Sequence, residues 1–342
     1  MRCVEFVGPG RLEWRNAPEP KLEASTDALV RPFVVATCDL DHAIISGAVN
    51  VPGPFAFGHE GIAEVVAVGA AVSKFRVGDV VSVPFQVSCG SCASCRAGRT
   101  AHCIGVERLS MYGLGPLSGR DWGGFLSDLV RVPFADHMLI AVPEDVDPRA
   151  VASLSDNIVD GWRLVAPQLA ADPGAKVLIV GGDSVSLYAT AVALALGAAS
   201  VDYVGGGTHQ QEVARRLGAA VIEGPVPERL GPYPITVNAT SERKCLHCAI
   251  RSTGPDGACT SAGIFFGDDP TMPLMEMYTK GIRFQTGRVH ARDVMPAALK
   301  LVEERKILPE LITAETADWN DSVEALVSHK AKLVITRPRE FA

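Results

Sequence analysis

Short apolar runs broken by turn residues fill the first 150 positions. Residues 28–36 (ALVRPFVVA), 63–68 (AEVVAV) and 77–84 (VGDVVSVP) are rich in Val and bounded by Gly, Pro, Asp and Ser. That pattern predicts β-strands of a barrel or sandwich. It changes after 143–148 (PEDVDP). Residues 150–170 then predict a helix, 176–180 (KVLIV) a short buried strand, 187–196 a helix, 200–204 a strand and 210–217 a helix. Such alternation predicts a doubly wound α/β domain with a parallel sheet. Further strands are expected at 235–238, 257–263 and 281–286, then a helix at 293–304, and the apolar run 333–336 ends the pattern. There is no internal repeat or low-complexity segment.

Composition narrows the possibilities. The chain has 342 residues, of which 47% are hydrophobic and 21% charged, enough for about two domains with sizeable cores. Lys plus Arg number 32 against 39 Asp plus Glu, a net charge of −7 without a dense basic run, so binding to a phosphate backbone is not expected. No apolar stretch approaches the ~20 residues of a membrane span, and the start, MRCVEFVGPGRLEW, lacks the apolar core of a signal peptide. No membrane partner and a cytoplasmic location are the expectations.

Nine cysteines are too few for a disulfide framework and are unevenly placed: Cys3, Cys38, Cys89, Cys92, Cys95, Cys103, Cys245, Cys248 and Cys259. Cys89, Cys92, Cys95 and Cys103 share one loop, SCGSCASCRAGRTAHC, whose small residues let backbone wrap closely around an ion. Four thiolates at this spacing predict a structural zinc site with no open position. The unequal last gap fits neither common ferredoxin spacing. Cys245-Leu246-His247-Cys248 is better read as two small buried residues on one helix face than as a further metal site.

Two more donors lie upstream: Cys38, in Ala36-Thr37-Cys38-Asp39-Leu40-Asp41, and His59, in Gly58-His59-Glu60-Gly61. Taken with the four-cysteine loop, Phe75-Arg76-Val77-Gly78-Asp79-Val80-Val81, Gly123-Gly124-Phe125 and the βαβ pattern, they occur in an order that resembles the zinc-dependent medium-chain alcohol dehydrogenases. The resemblance covers essentially the whole chain. It implies an α/β fold with a GroES-like β-rich catalytic domain at 1–152 and 290–342 and a doubly wound Rossmann-type nucleotide-binding domain at 153–289. It also implies a catalytic zinc held by Cys38 and His59, with a third ligand at the start of the nucleotide domain. Ser153-Leu154-Ser155-Asp156-Asn157 resembles the Asp-bearing version found in formaldehyde- and polyol-dehydrogenase-like members, so Asp156 is the expected ligand. A helix N-cap is the alternative role for Asp156. Asp41 matches the acid that orients the ligand His, and Glu60 the acid beside the metal.

The same resemblance implies two zinc ions per chain, NAD(P), and a small alcohol or carbonyl substrate bound between the domains. A homodimer or homotetramer is implied as well. The metal would stabilise alkoxide character while hydride passes to nicotinamide.

The nucleotide fingerprint departs from G-x-G-x-x-G. After 176–180 the chain reads Gly181-Gly182-Asp183-Ser184-Val185-Ser186, keeping only the tight-turn glycine. Asp183 would face an anion at a helix N-terminus unless it turns away. Gly205 occupies the slot where an acid normally accepts the ribose hydroxyls of NAD, and its neutrality leans toward NADP. Yet the nearest following cations are Arg215 and Arg216. Gly181, Gly182, Asp183, Val185, Gly205 and Arg288 are the candidate cofactor-binding positions, with Arg292 beside them. Leu40 replaces the hydroxyl residue of the family's proton relay, leaving Asp39, His42 or solvent. Asp160 stands where a Thr contacts nicotinamide. Trp122 could line a pocket or simply pack, and Tyr112 has no assigned role. Because these departures touch cofactor and proton transfer while the metal donors are intact, the alternative function is a non-redox zinc lyase, isomerase or cyclase. A non-catalytic zinc-bearing binding protein is a third reading, against which Cys38 and His59 count.

Overall fold

The computed structural model describes residues 1–117, 120–267, 269–329 and 331–339. The chain forms two compact units: Met1–Asp156 with His290–Glu303 and Thr313–Ala342, and Asn157–Val289 with Glu304–Ile312. The crossing falls at Asp156, four residues beyond the expected 152, and 304–312 returns briefly to the second unit.

The first unit begins with β1 (Arg2–Gly8), β2 (Arg11–Asn16), β3 (Ala28–Ala36), α1 (Asp39–Ile45), β4 (Phe55–Ala56), β5 (Glu60–Val68) and β6 (Val80–Ser82). It continues through α2 (Ala93–Arg96), β7 (Val130–Val132), α3 (Ala135–Met138) and β8 (Ile140–Ala141). Only three residues of 77–84 pair as strand, because the turn at Gly78 and Asp79 precedes β6 and Pro84 follows it. The antiparallel pairing of β3 with β5 places Ala36 opposite Glu60. Cys38, just past one strand, and His59, just before the other, are thereby brought to the same end of the sheet.

The second unit contains α4 (Asn157–Ala171), β9 (Val177–Gly181), α5 (Ser184–Ala195), β10 (Val201–Gly205), α6 (Thr208–Leu217), β11 (Ala220–Ile222) and β12 (Tyr233–Asn238). It is completed by α7 (Arg243–Ser252), β13 (Thr253–Ser261), α8 (Leu274–Lys280) and β14 (Arg283–Thr286). Its sheet is wholly parallel in the order β11-β10-β9-β12-β13-β14, with a topological switch between β9 and β12. β9 is buried along its whole length, as the uninterrupted KVLIV run requires. The expected helix at 150–170 is two pieces, a 3-10 turn at Ala152–Ser155 and then α4. Helix α5 starts three residues before its apolar run, because Ser186 and Thr190 are buried within it and the Thr190 hydroxyl donates to the Ser186 carbonyl. Cys245 and Cys248 lie on the buried face of α7, in a core with Leu178, Val180, Val204 and Cys259.

The chain returns to the first unit through α9 (Ala291–Glu303), β15 (Glu315–Asp318), α10 (Ser322–Ser328) and β16 (Leu333–Thr336). The seven-stranded sheet runs β15-β16-β3-β5-β6-β8, with β7 also on β3. Beyond β16, the Arg337 guanidinium donates to the carbonyls of Pro32, Ser127 and Asp128 and lies 3.9 Å from the centre of the Trp319 ring. No helix among the described residues is long and apolar enough to cross a membrane.

Arg337 ties the returning segment to β3, the strand that leads to Cys38. Arg337→Ala is expected to lower stability by about 2–3 kcal/mol in denaturant melts, through lost carbonyl partners and ring stacking. Arg337→Lys should restore little, because an ammonium cannot reproduce the planar fork.

Candidate metal centres and nucleotide turn

Cys38 precedes α1, and its N–H donates to Asp41 Oδ2 at 2.9 Å, so an acid in the first turn reaches back to the helix start. The other oxygen, Asp41 Oδ1, lies 3.4 Å from His59 Nδ1. One buried carboxylate therefore holds the start of α1 and lies against the imidazole. The opposite ring nitrogen, His59 Nε2, lies 3.4 Å from Asp156 Oδ2. Asp156 is delivered by the turn at Ala152–Ser155, which is pinned to β5 by the Gly61 N–H donating to Ser155 Oγ at 3.2 Å.

The donor atoms of Cys38, His59 and Asp156 all lie within 4.8 Å of one another. Burial raises the Cys38 thiol well above its ordinary value. Burial also opposes protonation of His59, yet the negative fields of Cys38 and Asp41 and the contact with Asp156 hold its pKa well above normal. A thiol, an imidazole and a carboxylate crowded this way call for positive charge at their centre. Two ligands of a tetrahedral zinc bound through N and O stand about 3.4 Å apart, which matches the His59–Asp156 separation. Three protein donors leave a fourth position open.

Glu60 is fully buried beside this group and accepts a hydrogen bond from Lys332 Nζ at 2.7 Å. Burial raises the Glu60 carboxyl, and the Lys332 ammonium opposes that rise. Nothing in the sequence pointed to Lys332, which lies 272 positions away. Val334 stands opposite Ala36 across the β16–β3 pair, and that pairing carries Lys332 to the same sheet end.

Cys89, Cys92, Cys95 and Cys103 form a second group with all sulfurs within 4.8 Å. Cys92 Sγ and Cys103 Sγ are 3.9 Å apart, against about 3.8 Å for two thiolates on a tetrahedral zinc. Backbone N–H groups point at the sulfurs, from Cys89 and Gly105 to Cys103 and from Cys95 to Cys92. Hydrogen bonds from the backbone at Cys95 and Ile104 lower the Cys92 thiol to about 6, favouring thiolate.

In the second unit, Gly181 ends β9 and Gly205 ends β10, side by side in register. A Cβ at 181 would fall 2.4 Å from the Tyr203 hydroxyl, which also lies 2.9 Å from Ser186 Oγ. Tyr203 and Ser186 thus fill beneath the turn the space that a third glycine would leave. Gly205 has φ +90°, a conformation that favours glycine. Asp183 does turn aside: its Oδ1 accepts from Gln210 Nε2 at 2.6 Å. Gly182 adjoins it, and Val185 is buried in the first turn of α5. The turn thus keeps its glycine approach and a helix N-terminus, which fit a pyrophosphate.

The remaining candidates have other partners. Asp160 pairs with Arg163 on α4. Arg292, beside the expected cofactor stretch, donates to the His137 carbonyl within the first unit. Arg288 is half-buried in the second unit. Trp122 stacks under Arg120 and Arg131. Tyr112 is a core residue whose hydroxyl donates to the Arg131 carbonyl. His42 is exposed on α1 and packs edge-on against His329.

Comparison with known proteins follows the same lines. The Alcohol dehydrogenase GroES-like domain profile matches residues 24–144. A glutathione-independent formaldehyde dehydrogenase of Pseudomonas aeruginosa is 35% identical over 213 residues, 58% of this chain and 53% of that one. The chain thus spans about half the length of the formaldehyde dehydrogenase relatives it matches. Zinc-type alcohol dehydrogenase B of Aspergillus flavus is 28% identical over 327 residues, covering 90% and 73%. The alcohol dehydrogenase of Thermus sp. ATN1 superposes with a TM-score of 0.85 at 25% identity, over 98% of this chain and 99% of that one.

Two substitutions separate the centres. Cys92→Ser should abolish one bound zinc and lower the melting temperature sharply, whereas His59→Ala should lose the other zinc with the fold intact, both read by metal analysis and circular dichroism. Separately, Lys332→Ala should cost roughly 3–5 kcal/mol in denaturant melts by leaving Glu60 buried without its ammonium, and Lys332→Arg should recover most of it.

Proposed function

Because the chain belongs to the zinc-dependent medium-chain alcohol dehydrogenase family, we propose that it interconverts an alcohol and the matching aldehyde or ketone with a nicotinamide cofactor. The observation that carries this reading is the convergence of one thiol, one imidazole and one carboxylate on a common point, where a closed structural site would have four donors. Cys38, His59 and Asp156 would hold the catalytic zinc, and Cys89, Cys92, Cys95 and Cys103 a second one, two per chain. Bound zinc supplies a Lewis acid, and bound nicotinamide a hydride acceptor or donor.

The chain's own residues do the rest. Asp41 faces Nδ1 of the imidazole, and Nε2 faces Asp156. Glu60, neutralised by Lys332, lines the donor group without adding a net charge to it. Leu40 carries no transferable proton, which leaves Asp39, His42 or solvent to take the alcohol proton. Gly181, Gly182 and Val185, at the start of α5, would receive the pyrophosphate, with Gly205 and Arg288 as further contacts. The acidic net charge and the absence of a basic run fit a small-molecule substrate, with no nucleic acid or membrane partner. A homodimer or homotetramer and a cytoplasmic location belong to the same reading. The non-redox alternative finds no support among these relatives, whose names are those of dehydrogenases, a reductase/dehydrogenase and a formaldehyde dismutase.

The test is turnover of a panel of primary and secondary alcohols, and of their carbonyl products, by the zinc-loaded protein, followed by the absorbance of reduced nicotinamide. Activity should fall roughly a thousandfold in His59→Ala and on chelation. Turnover that ignores both treatments would refute the assignment.

A further inference from the structure

The nucleotide turn carries Asp183 and Ser186 where the fingerprint has glycines, and Gly205, at φ +90°, where it has an acid. Position 205 has no side chain to present to a ribose. In the adjacent strand Gly181 is its register partner, and Asp183 stands two residues beyond. The Gln210 side chain, in the first turn of α6, uses both of its ends. Its Oε1 accepts from the Gly207 N–H at 3.1 Å, and its Nε2 donates to Asp183 Oδ1 at 2.6 Å. The amide therefore holds the carboxylate across the gap between the turns that follow β9 and β10. Among the described residues, Asp183 Oδ2 accepts no hydrogen bond. Doubly wound folds seat the adenosine ribose at this place, over the carboxyl ends of the first two strands beside the switch point.

We propose that Asp183, held by Gln210, has taken over from position 205 the acid that reads the adenosine ribose, and that it selects NAD(H) against NADP(H). A carboxylate with one oxygen anchored and one open accepts hydrogen bonds from vicinal hydroxyls. The same carboxylate repels a 2′-phosphate, which carries nearly two negative charges. Of the cations that follow β10 most closely, Arg215 is spent on Glu223 at 2.6 Å. The preference is the reverse of the one Gly205 suggests alone. It rests on the dehydrogenase reading and adds to it which cofactor is taken and by which residue.

Titration of the zinc-loaded full chain with NADH and with NADPH, followed by nicotinamide fluorescence, tests it. The wild type should bind NADH at least about tenfold more tightly than NADPH. Asp183→Asn keeps the shape and removes the charge, and should narrow that ratio by roughly tenfold, mainly by tightening NADPH. Gln210→Ala, which frees the carboxylate, should narrow it less. Equal or tighter NADPH binding by the wild type would overturn the proposal and leave the dehydrogenase reading standing. So would an unchanged ratio in folded Asp183→Asn, or in Gln210→Ala should the first variant not fold. Binding of neither nucleotide would overturn both.

Discussion

The first unit is organised around one buried carboxylate. Asp41 accepts from the Cys38 N–H through one oxygen and faces His59 Nδ1 at 3.4 Å through the other, so one side chain holds the start of α1 and lies against the imidazole ring. The β3–β5 register brings these residues to one sheet end, and the bond from Gly61 to Ser155 brings Asp156 to meet them. Together they place three donors on a common point from positions 38, 59 and 156 of the chain. The returning C-terminal strand adds the Lys332 ammonium, which lets a fully buried Glu60 stand beside the donors.

The two donor groups are built differently. The four-cysteine loop is continuous in sequence and surrounded by backbone N–H groups that favour thiolates. Its ligands close the coordination sphere. The Cys38 group is assembled from distant segments, mixes sulfur, nitrogen and oxygen, and brings together three donors where the loop has four.

Legibility followed chain proximity. The four-cysteine loop could be read from spacing alone, and the parallel strands and helices of the second unit from apolar runs bounded by Gly and Pro. Cys38, His59 and Asp156 carry no mutual spacing rule, and only the ordered resemblance to a family connected them. Lys332 was invisible because its partner lies across the sheet from a distant strand. The nucleotide turn was legible only as a departure from G-x-G-x-x-G, with Asp183 and Gly205 in place of a glycine and an acid. The positive φ at Gly205, the Tyr203–Ser186 contact and the bond from Gln210 to Asp183 are tertiary facts that no one-dimensional pattern contains. The helix expected at 150–170 is divided because the turn that presents Asp156 needs an irregular backbone, and the polar residues Ser153, Ser155, Asp156 and Asn157 mark the break.

X-ray absorption at the zinc edge of the metal-loaded protein tests the convergence of the donors most directly. The arrangement described here supplies five thiolates, from Cys38 and the loop cysteines, to two zinc ions. It predicts an average of about 2.5 sulfurs per zinc, with nitrogen and oxygen completing each mean coordination sphere. A single zinc per chain surrounded by four sulfurs alone would contradict it.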